Sequence, residues 1–138
     1  MFLTLLFNLF LVSMAFSYCF DQAGQYYSIS PRLLYAIAKV ESGLNWRALN
    51  RNKNGTYDIG LMQINSRWIP VLRRYGLYDD RLIWEPCYNT MVGAWVLRQC
   101  INRYGYNWKA VDCYNKGSKA RESSRYVWSV YRKLMEGG

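Results

Sequence analysis

The sequence predicts a single, mainly helical domain with one small β-hairpin. A length of 138 residues suits one domain around one buried core. Apolar residues recur at intervals of three and four along most of the chain, which is the period of one helical face. The dipeptide Asn54-Gly55 interrupts this pattern and is a strong hairpin signal.

The first 17 residues have the pattern of a signal peptide, which leaves the domain at residues 18–138. Residues 2–12 are almost wholly apolar, and Ala15 and Ser17 occupy the small-residue positions before a cut at Tyr18. A membrane anchor is the alternative, but the apolar run is shorter than the roughly 20 residues that a spanning helix needs. We therefore expect an exported chain, periplasmic or secreted, with no membrane span after signal removal.

Two helices are predicted before the hairpin. The first holds Phe20, Ala23 and Tyr27 on one face and ends near Ser28. The second has Ser30 as its N-cap and Pro31 at its first position, where the missing N–H is not needed. Gly43 ends this second helix.

The hairpin is predicted over residues 49–59. Because side chains alternate across a strand, Asp58 is expected to face opposite to Tyr57 and Ile59. Residues 60–65 are predicted to form a tight turn that leads into a helix.

Four helices are predicted after the hairpin. A short helix ends before Gly76, and the longest follows Pro86 and stops at Gly105. Asn107 caps the next helix, and residues 116–121 are predicted as a loop. The last helix is expected to turn four side chains inward: Val127, Val130, Tyr131 and Leu134.

The residue types that are present limit the chemistry. The chain has no histidine, which excludes Ser-His-Asp and Cys-His catalysis, and it has no C-x-x-C spacing for zinc. We predict neither a metal nor an organic cofactor, so acid–base chemistry must use carboxyl groups. Four cysteines in an exported chain suggest two disulfides, with three possible pairings. They are Cys19, Cys87, Cys100 and Cys113.

A formal charge of +9 favours binding to polyanions. Nucleic acid, anionic lipid and peptidoglycan all qualify, and a merely soluble basic surface is the alternative. Export and the scattered positions of the basic residues, without a recognition motif, argue against nucleic acid.

Glu41 is the candidate catalytic acid. It lies on the apolar stripe of the second helix with Leu34 and Ile37, where burial should raise its pKa so that it donates a proton near neutral pH. A glycosidase needs such a donor, because a sugar oxygen leaves poorly until it is protonated. A buried glutamate paired with Arg or Lys is the alternative.

Seven other acids sit near helix ends, turns or polar faces, where carboxylates are usually solvated or capping. We predict no catalytic role for them. They are Asp21, Asp79, Asp80, Glu85, Asp112, Glu122 and Glu136.

Three motifs resemble the soluble lytic transglycosylase family of the lysozyme superfamily. They are Glu41-Ser42-Gly43, Gly60-Leu61-Met62-Gln63-Ile64-Asn65 and Tyr114-Asn115. The similarity extends over nearly all of residues 19–131. Residues 104–111 are similar to the small exported members that accompany secretion and pilus systems. The resemblance implies an α+β, lysozyme-like fold.

The resemblance also implies an activity, which is cleavage of the β-1,4 bond between N-acetylmuramic acid and N-acetylglucosamine in peptidoglycan. Glu41 would act first as general acid and then as base. The muramyl 6-hydroxyl would close on its own anomeric carbon and leave a 1,6-anhydro end. The implied partners are glycan strands and a secretion, pilus or conjugation apparatus, for which a monomeric enzyme would cut the wall locally.

Six further residues match family positions that bind the sugar or orient the acid. Structural roles are the alternatives: capping for Ser42, holding the turn for Gln63 and Asn65, and core packing for Tyr114. The six are Ser42, Met62, Gln63, Asn65, Tyr114 and Asn115.

Residues 50–68 are similar to the hairpin segment of c-type lysozymes, which have a second catalytic aspartate at the position of Asp58. This similarity implies that Asp58 stabilises positive charge on the sugar ring, and it makes a water-using hydrolase the alternative enzyme. Capping the turn at Gly60, or pairing with Arg51 or Lys53, are the structural alternatives. A noncatalytic glycan-binding or assembly protein is the alternative from another class.

The family resemblance implies a disulfide between Cys19 and Cys87, with Cys100 and Cys113 as the second pair. At Cys113 the chain departs from the family, which usually has alanine before the Tyr-Asn pair. A disulfide at this position could stiffen the wall of the groove.

Overall fold

A computed structural model describes residues 18–136 of the chain. The predicted signal peptide therefore lies outside the described residues. Within that range the chain is mainly helical with a small antiparallel sheet, which confirms the predicted fold class. The helices are α1 (Phe20–Tyr27), α2 (Pro31–Ser42), α3 (Ile69–Arg74), α4 (Pro86–Tyr104), α5 (Trp108–Lys116) and α6 (Arg125–Glu136). The strands are β1 (Leu49–Arg51), β2 (Tyr57–Ile59) and β3 (Ile64–Asn65).

Side chains cap the N-termini of three helices. Ser30 and Asn107 were predicted as caps, and Glu85 is one of the acids that were placed near helix ends or turns. Ser30 Oγ accepts the N–H of Leu33 at 3.3 Å at the start of α2, and Asn107 Oδ1 accepts the N–H of Ala110 at 3.0 Å at the start of α5. Glu85 caps α4 by accepting two backbone N–H groups in its first turn. These caps satisfy donors that have no partner within the helix.

The sheet has the order β1-β2-β3, and both pairings are antiparallel. Residues 60–65 were predicted to run directly from a turn into a helix, but they end in a third strand. The apolar side chains of Ile59 and Ile64 are both buried and pair across the sheet, which extends the ladder by one strand. A short 3-10 turn, Ser66–Trp68, then leads into α3.

The core forms around the long helix α4, which contacts α1, α5 and, more sparsely, α2 and β3. Gly93 allows the side chain of Met62 to approach this helix, because an added Cβ would lie 2.9 Å from it. Two disulfides tie neighbouring helix ends to α4. They join Cys19 to Cys87 and Cys100 to Cys113, which is the pairing that the family resemblance implied.

The C-terminal part differs from prediction in two places. Tyr131 was expected to point inward but is 39% exposed, because it packs edge-on between Trp108 and Trp128 at the surface. The predicted loop at residues 116–121 contains the end of α5 and a 3-10 turn over Gly117–Lys119. No helix within residues 18–136 is long and apolar enough to span a membrane.

Candidate active site

A cleft of about 460 Å³ opens between the end of α2, the sheet and α5. It brings together most of the residues that the sequence predicted for the site, although they come from distant parts of the chain. Six of them line the cleft: Glu41, Asp58, Gln63, Asn65, Tyr114 and Asn115.

Glu41 lies in the last turn of α2 with its carboxyl group facing the cleft. Burial raises its pKa from 4.5 to about 7, and the charge of Asp58 adds to the rise. Polar groups of Tyr126 and Asn115 act in the opposite direction. Among the described residues Glu41 has no ion pair with Lys or Arg, so the alternative of a paired structural glutamate is not realised. A large fraction of this carboxyl is protonated at neutral pH.

Asp58 lies on β2 and faces the cleft, while its neighbour Ile59 is buried in the core. Two amides fix its carboxylate. Asn65 donates to Oδ1 at 2.8 Å, and Asn52 donates to Oδ2 at 3.1 Å. Within residues 18–136 Asp58 forms no salt bridge with a neighbouring base. Both cleft carboxyls are therefore held without a cationic partner.

Gln63 holds the turn between β2 and β3. Its backbone is left-handed at φ 54°, and its amide donates to the carbonyl oxygens of Gly60 at 2.9 Å and Ala48 at 3.2 Å. Its Oε1 accepts from Asn50 at 2.7 Å. At Gly60 φ is 74° and an added Cβ would lie 2.6 Å from Asn89 Nδ2, so the turn requires glycine there. The structural role that was considered for Gln63 is realised, and its side chain also forms part of the cleft wall.

Asn65 and Tyr114 also combine a structural contact with a place in the cleft. Asn65 Oδ1 accepts the N–H of Arg67 at 3.0 Å, while its amide holds Asp58. Tyr114 donates its hydroxyl proton to the carbonyl oxygen of Met62 at 2.6 Å. Burial, followed by the charges of Glu41 and Asp58, raises the pKa of Tyr114 well above its usual value of 10.0. The phenol therefore remains a hydrogen-bond donor.

Ser42 and Met62 are not among the residues that line the cleft, and their binding to sugar stays a prediction. Met62 is fully buried against Gly93. Ser42 donates its hydroxyl proton to the carbonyl oxygen of Leu61 at 2.6 Å, which connects α2 to the turn after β2. Both side chains support the cleft wall from behind.

The family model described as "Transglycosylase SLT domain" matches residues 18–130. The chain belongs to the transglycosylase SLT domain family. The match includes Glu41, the turn after β2 and the Tyr114-Asn115 pair, so the motifs that suggested a lytic transglycosylase all lie inside the matched region.

Two curated relatives are similar over most of the domain. "Invasion protein IagB" of Salmonella typhimurium is 39% identical over 129 residues, which cover 89% of this chain and 81% of that protein. "Protein IpgF" of Shigella flexneri is 40% identical over 120 residues, which cover 85% and 79%. This SLT domain also matches the crystal structure of an inactive mutant of lytic transglycosylase Slt from Pseudomonas aeruginosa. That match has a TM-score of 0.62, 20% identity, and coverage of 88% of this chain and 22% of the longer protein. The lysozyme-like transglycosylase fold is thereby confirmed.

Sequence reasoning missed Tyr126 in this SLT domain. Its hydroxyl donates to Glu41 Oε2 at 3.2 Å across 85 positions of sequence. The predicted inward face of α6 contains Val127 and Val130, and Tyr126 lies at the edge of that stripe. An apolar pattern does not show a contact made by a single hydroxyl group.

Sequence reasoning also missed Asn89, which supports the same turn from α4. Its amide donates to the carbonyl oxygens of Ile59 and Ile83, and its Oδ1 accepts the N–H of Met62 at 2.7 Å. Asn89 is fully buried, so all of these contacts are made inside the protein.

Asp112 does not have the solvated or capping role that was predicted for it. Its side chain is fully buried on α5. Oδ1 accepts from Lys116 Nζ at 2.7 Å and from Ser124 Oγ at 2.6 Å, and Oδ2 accepts the N–H of Arg121 at 2.7 Å. Burial alone would raise its pKa, but these three donors lower the pKa below 3.8. The absence of a catalytic role for Asp112 stays a prediction.

Proposed function

We propose that this chain is a lytic transglycosylase that cleaves the β-1,4 bond between N-acetylmuramic acid and N-acetylglucosamine in peptidoglycan. Glu41 is the acid and then the base, and the product carries a 1,6-anhydromuramyl end. The observation that carries this proposal is a carboxyl group with a pKa of about 7 at the wall of an open polar cleft. Membership in the SLT family supports it.

The proposed reaction uses one carboxyl group twice. Protonated Glu41 gives its proton to the glycosidic oxygen, which allows the sugar to leave. The resulting carboxylate accepts the proton of the muramyl 6-hydroxyl as that oxygen bonds to the anomeric carbon. Glu41 ends the cycle protonated, and no water is consumed. A pKa near the working pH suits both half-reactions, because neither protonation state is then rare.

The polar wall of the cleft is the proposed sugar-binding surface. Amide groups of Gln63, Asn65 and Asn115 and the hydroxyl of Tyr114 match the N-acetyl and hydroxyl groups of the glycan. Ser42, through its bond to Leu61, and the buried Met62 support this wall.

A hydrolase is the second candidate function, and the position of Asp58 favours it. Asp58 lines the same cleft as Glu41 and interacts with it strongly enough to raise its pKa. A fixed anion on this side of the cleft would stabilise positive charge on the sugar ring. In this alternative a water molecule would attack the ring carbon and leave a reducing end.

We further propose that the enzyme acts outside the cytoplasm, after removal of residues 1–17, and opens the wall locally for a secretion or conjugation apparatus. One relative is named "Invasion protein", which supports a role in such a system. Two disulfides suit an oxidising compartment.

Purified protein acting on isolated sacculi, with the products weighed by mass spectrometry, tests the proposal. We expect anhydro products, which are lighter by one water than the products of a hydrolase. Glu41→Gln should lower the rate about 10²–10⁴-fold. The exposed Glu122 provides a matched control, because Glu122→Gln makes the same carboxyl-to-amide exchange away from the cleft.

The same experiment separates the alternatives. Products with reducing ends that disappear in Asp58→Asn would favour the hydrolase. Undiminished lysis by Glu41→Gln would remove the proposed acid, and an inactive wild-type protein that still binds sacculi would favour a noncatalytic glycan-binding protein.

A further inference from the structure

We propose that Asp112 is a positioning residue that holds the hydroxyl group of Tyr126 on Glu41 through the first turn of α6. This inference rests on the function proposed above for Glu41. It assigns a role to a buried acid that makes no contact with the cleft.

The first step runs from Asp112 to the segment that precedes α6. Both oxygens of the carboxylate bind this segment, through Ser124 Oγ at 2.6 Å and the N–H of Arg121 at 2.7 Å. Lys116, one turn later on α5, supplies the counter-charge at 2.7 Å. The end of α5 and the start of α6 are thus fixed to each other by one side chain.

The second step runs from Ser124 into α6. Ser124 Oγ accepts the N–H of Val127 at 3.0 Å, and its carbonyl oxygen accepts the N–H of Trp128 at 3.1 Å. Ser124 therefore caps the helix while it donates its own proton to Asp112. Tyr126 lies between these anchored positions, so the backbone from which its side chain extends is fixed on both sides.

The third step is the contact with the catalytic carboxyl. Tyr126 donates its hydroxyl proton to Glu41 Oε2 at 3.2 Å, and α6 packs along α2. Burial, followed by the charge of Glu41, raises the pKa of Tyr126 well above 10.0, so the phenol stays protonated and can only help Glu41 as a donor. This bond stabilises the carboxylate form and lowers the pKa of Glu41 against the effect of burial.

The direction of the expected effect distinguishes positioning from a direct charge effect. The titratable neighbours of Glu41 are Asp58 from β2, Tyr114 from α5 and Tyr126 from α6. The cationic side chains on the cleft wall are Lys53 and Arg67. Asp112 is not among the groups that shift Glu41, and removal of an anion would in any case lower a carboxyl pKa. Loss of the Tyr126 bond would raise it.

The test is the pH dependence of kcat/KM on soluble glycan strands. Activity should fall as the pH rises through the pKa of Glu41, because the acid loses its proton. This fall is the alkaline limb of the pH profile. We expect Tyr126→Phe to move the limb to higher pH by about half to one pH unit. Asp112→Asn should move it in the same direction, because an amide has only one accepting oxygen and cannot keep both sides of the network.

Ser124 gives a second and milder arm, in case Asp112→Asn does not fold. Ser124→Ala removes the hydroxyl that joins Asp112 to α6 and should move the limb upward, whereas Ser124→Thr keeps the hydroxyl and should restore it. In the double variant Asp112→Asn with Tyr126→Phe, the limb should lie where Tyr126→Phe alone places it. Asp79→Asn is the matched control, because that exposed aspartate also accepts two backbone N–H groups but lies outside the cleft.

The inference would be overturned if Asp112→Asn and Ser124→Ala lower the rate but leave the alkaline limb of the pH profile in place or move it to lower pH. Asp112 would then have a purely structural role. That outcome differs from a failure of the proposed function. If Glu41→Gln is fully active, the function is wrong; if Glu41→Gln is inactive and the limb does not respond to Asp112 or Ser124, only this inference is wrong.

Discussion

The fold partly buries Glu41 and fully buries Asp112, and the pKa values of these two carboxyl groups move in opposite directions. Burial raises the pKa of Glu41 to about 7, and the few donors near it only partly oppose the rise. Burial acts in the same sense on Asp112, but Lys116, Ser124 and the Arg121 amide outweigh it. The first group keeps its proton near neutral pH, and the second stays ionised.

Burial alone therefore does not decide the direction in which a carboxyl pKa moves. The number of hydrogen-bond donors that reach the carboxylate decides whether the carboxyl group keeps its proton near neutral pH or stays ionised. Glu41 has a hydrogen bond from one tyrosine and an open cleft on its other side. Asp112 has three donors and no contact with the cleft. Substitutions at the two sites should consequently have opposite effects.

Asp112→Asn should produce the largest change in stability. Lys116 is 35% exposed, so solvent screens the ion pair, but Asp112 is fully buried and accepts three hydrogen bonds. Because a hydrogen bond to a charged group contributes roughly 1.5–3 kcal/mol, losing about two of them should cost roughly 3–5 kcal/mol of unfolding free energy. Because the pKa of Asp112 is lowered from 3.8 in the folded state, its contribution is present above that pH and is lost as the pH falls through the folded pKa. Urea unfolding at pH 7 and pH 3 should therefore show a large difference from wild type that shrinks in acid.

Asp79→Asn is the control for this measurement. Asp79 is exposed and its pKa is also lowered, by backbone N–H groups of Leu82 and Arg81, so the same substitution removes a carboxylate without opening the core. A loss as large as that of Asp112→Asn would show that burial is not what separates the two sites.

Glu41→Gln should have the opposite effect on stability. A folded pKa of about 7 against 4.5 means that Glu41 contributes its full stability below pH 4.5 and loses it as the pH rises through 7. Glutamine carries no such penalty. We compare the unfolding free energy of the variant with that of wild type at each pH. This difference should be about 3 kcal/mol more favourable to the variant at pH 8 than at pH 4.

Urea unfolding at the two pH values measures this gain, with Glu122→Gln as the exposed control. An equal difference at pH 4 and pH 8 would mean that Glu41 ionises normally, and the contrast with Asp112 would then disappear.

Asp58→Asn should give the smallest of the expected effects. It tests the contrast between Glu41 and Asp112 by changing a charge in the cleft. The charge of Asp58 raises the pKa of Glu41, so its removal should lower that pKa. The alkaline limb of activity should move downward by about half a pH unit, opposite in sign to the shift expected for Tyr126→Phe. A pH-rate profile measures it, and an upward shift would show that Asp58 does not repel the Glu41 carboxylate.

Sequence patterns predicted the parts of the molecule that depend on hydrophobic periodicity and on local signals for helix ends and turns. Ser30, Pro31 and Gly43 delimit α2, and the apolar stripe of that helix indicated a partly buried Glu41 with a raised pKa before its surroundings were known. Asn54-Gly55 located the hairpin, and strand alternation placed Asp58 opposite to Ile59.

The parts that were missed depend on contacts between distant segments. Asp112 is held by Arg121 and Ser124, which lie in an irregular stretch without hydrophobic period. Tyr126 reaches Glu41 only because α6 folds back on α2. Met62 matches a family motif, but motif identity does not tell whether a side chain faces the cleft or the core, and here it faces Gly93.

The amides of the hairpin already bind one another. Asn65 and Asn52 hold Asp58, and Gln63 is bound to Asn50 and to the turn. These side chains lose their rotational freedom when the protein folds, before any glycan arrives. Under the proposed function, a sugar strand would meet a preorganised surface, so little further conformational entropy would be lost on the protein side and more of the contact energy would remain as affinity.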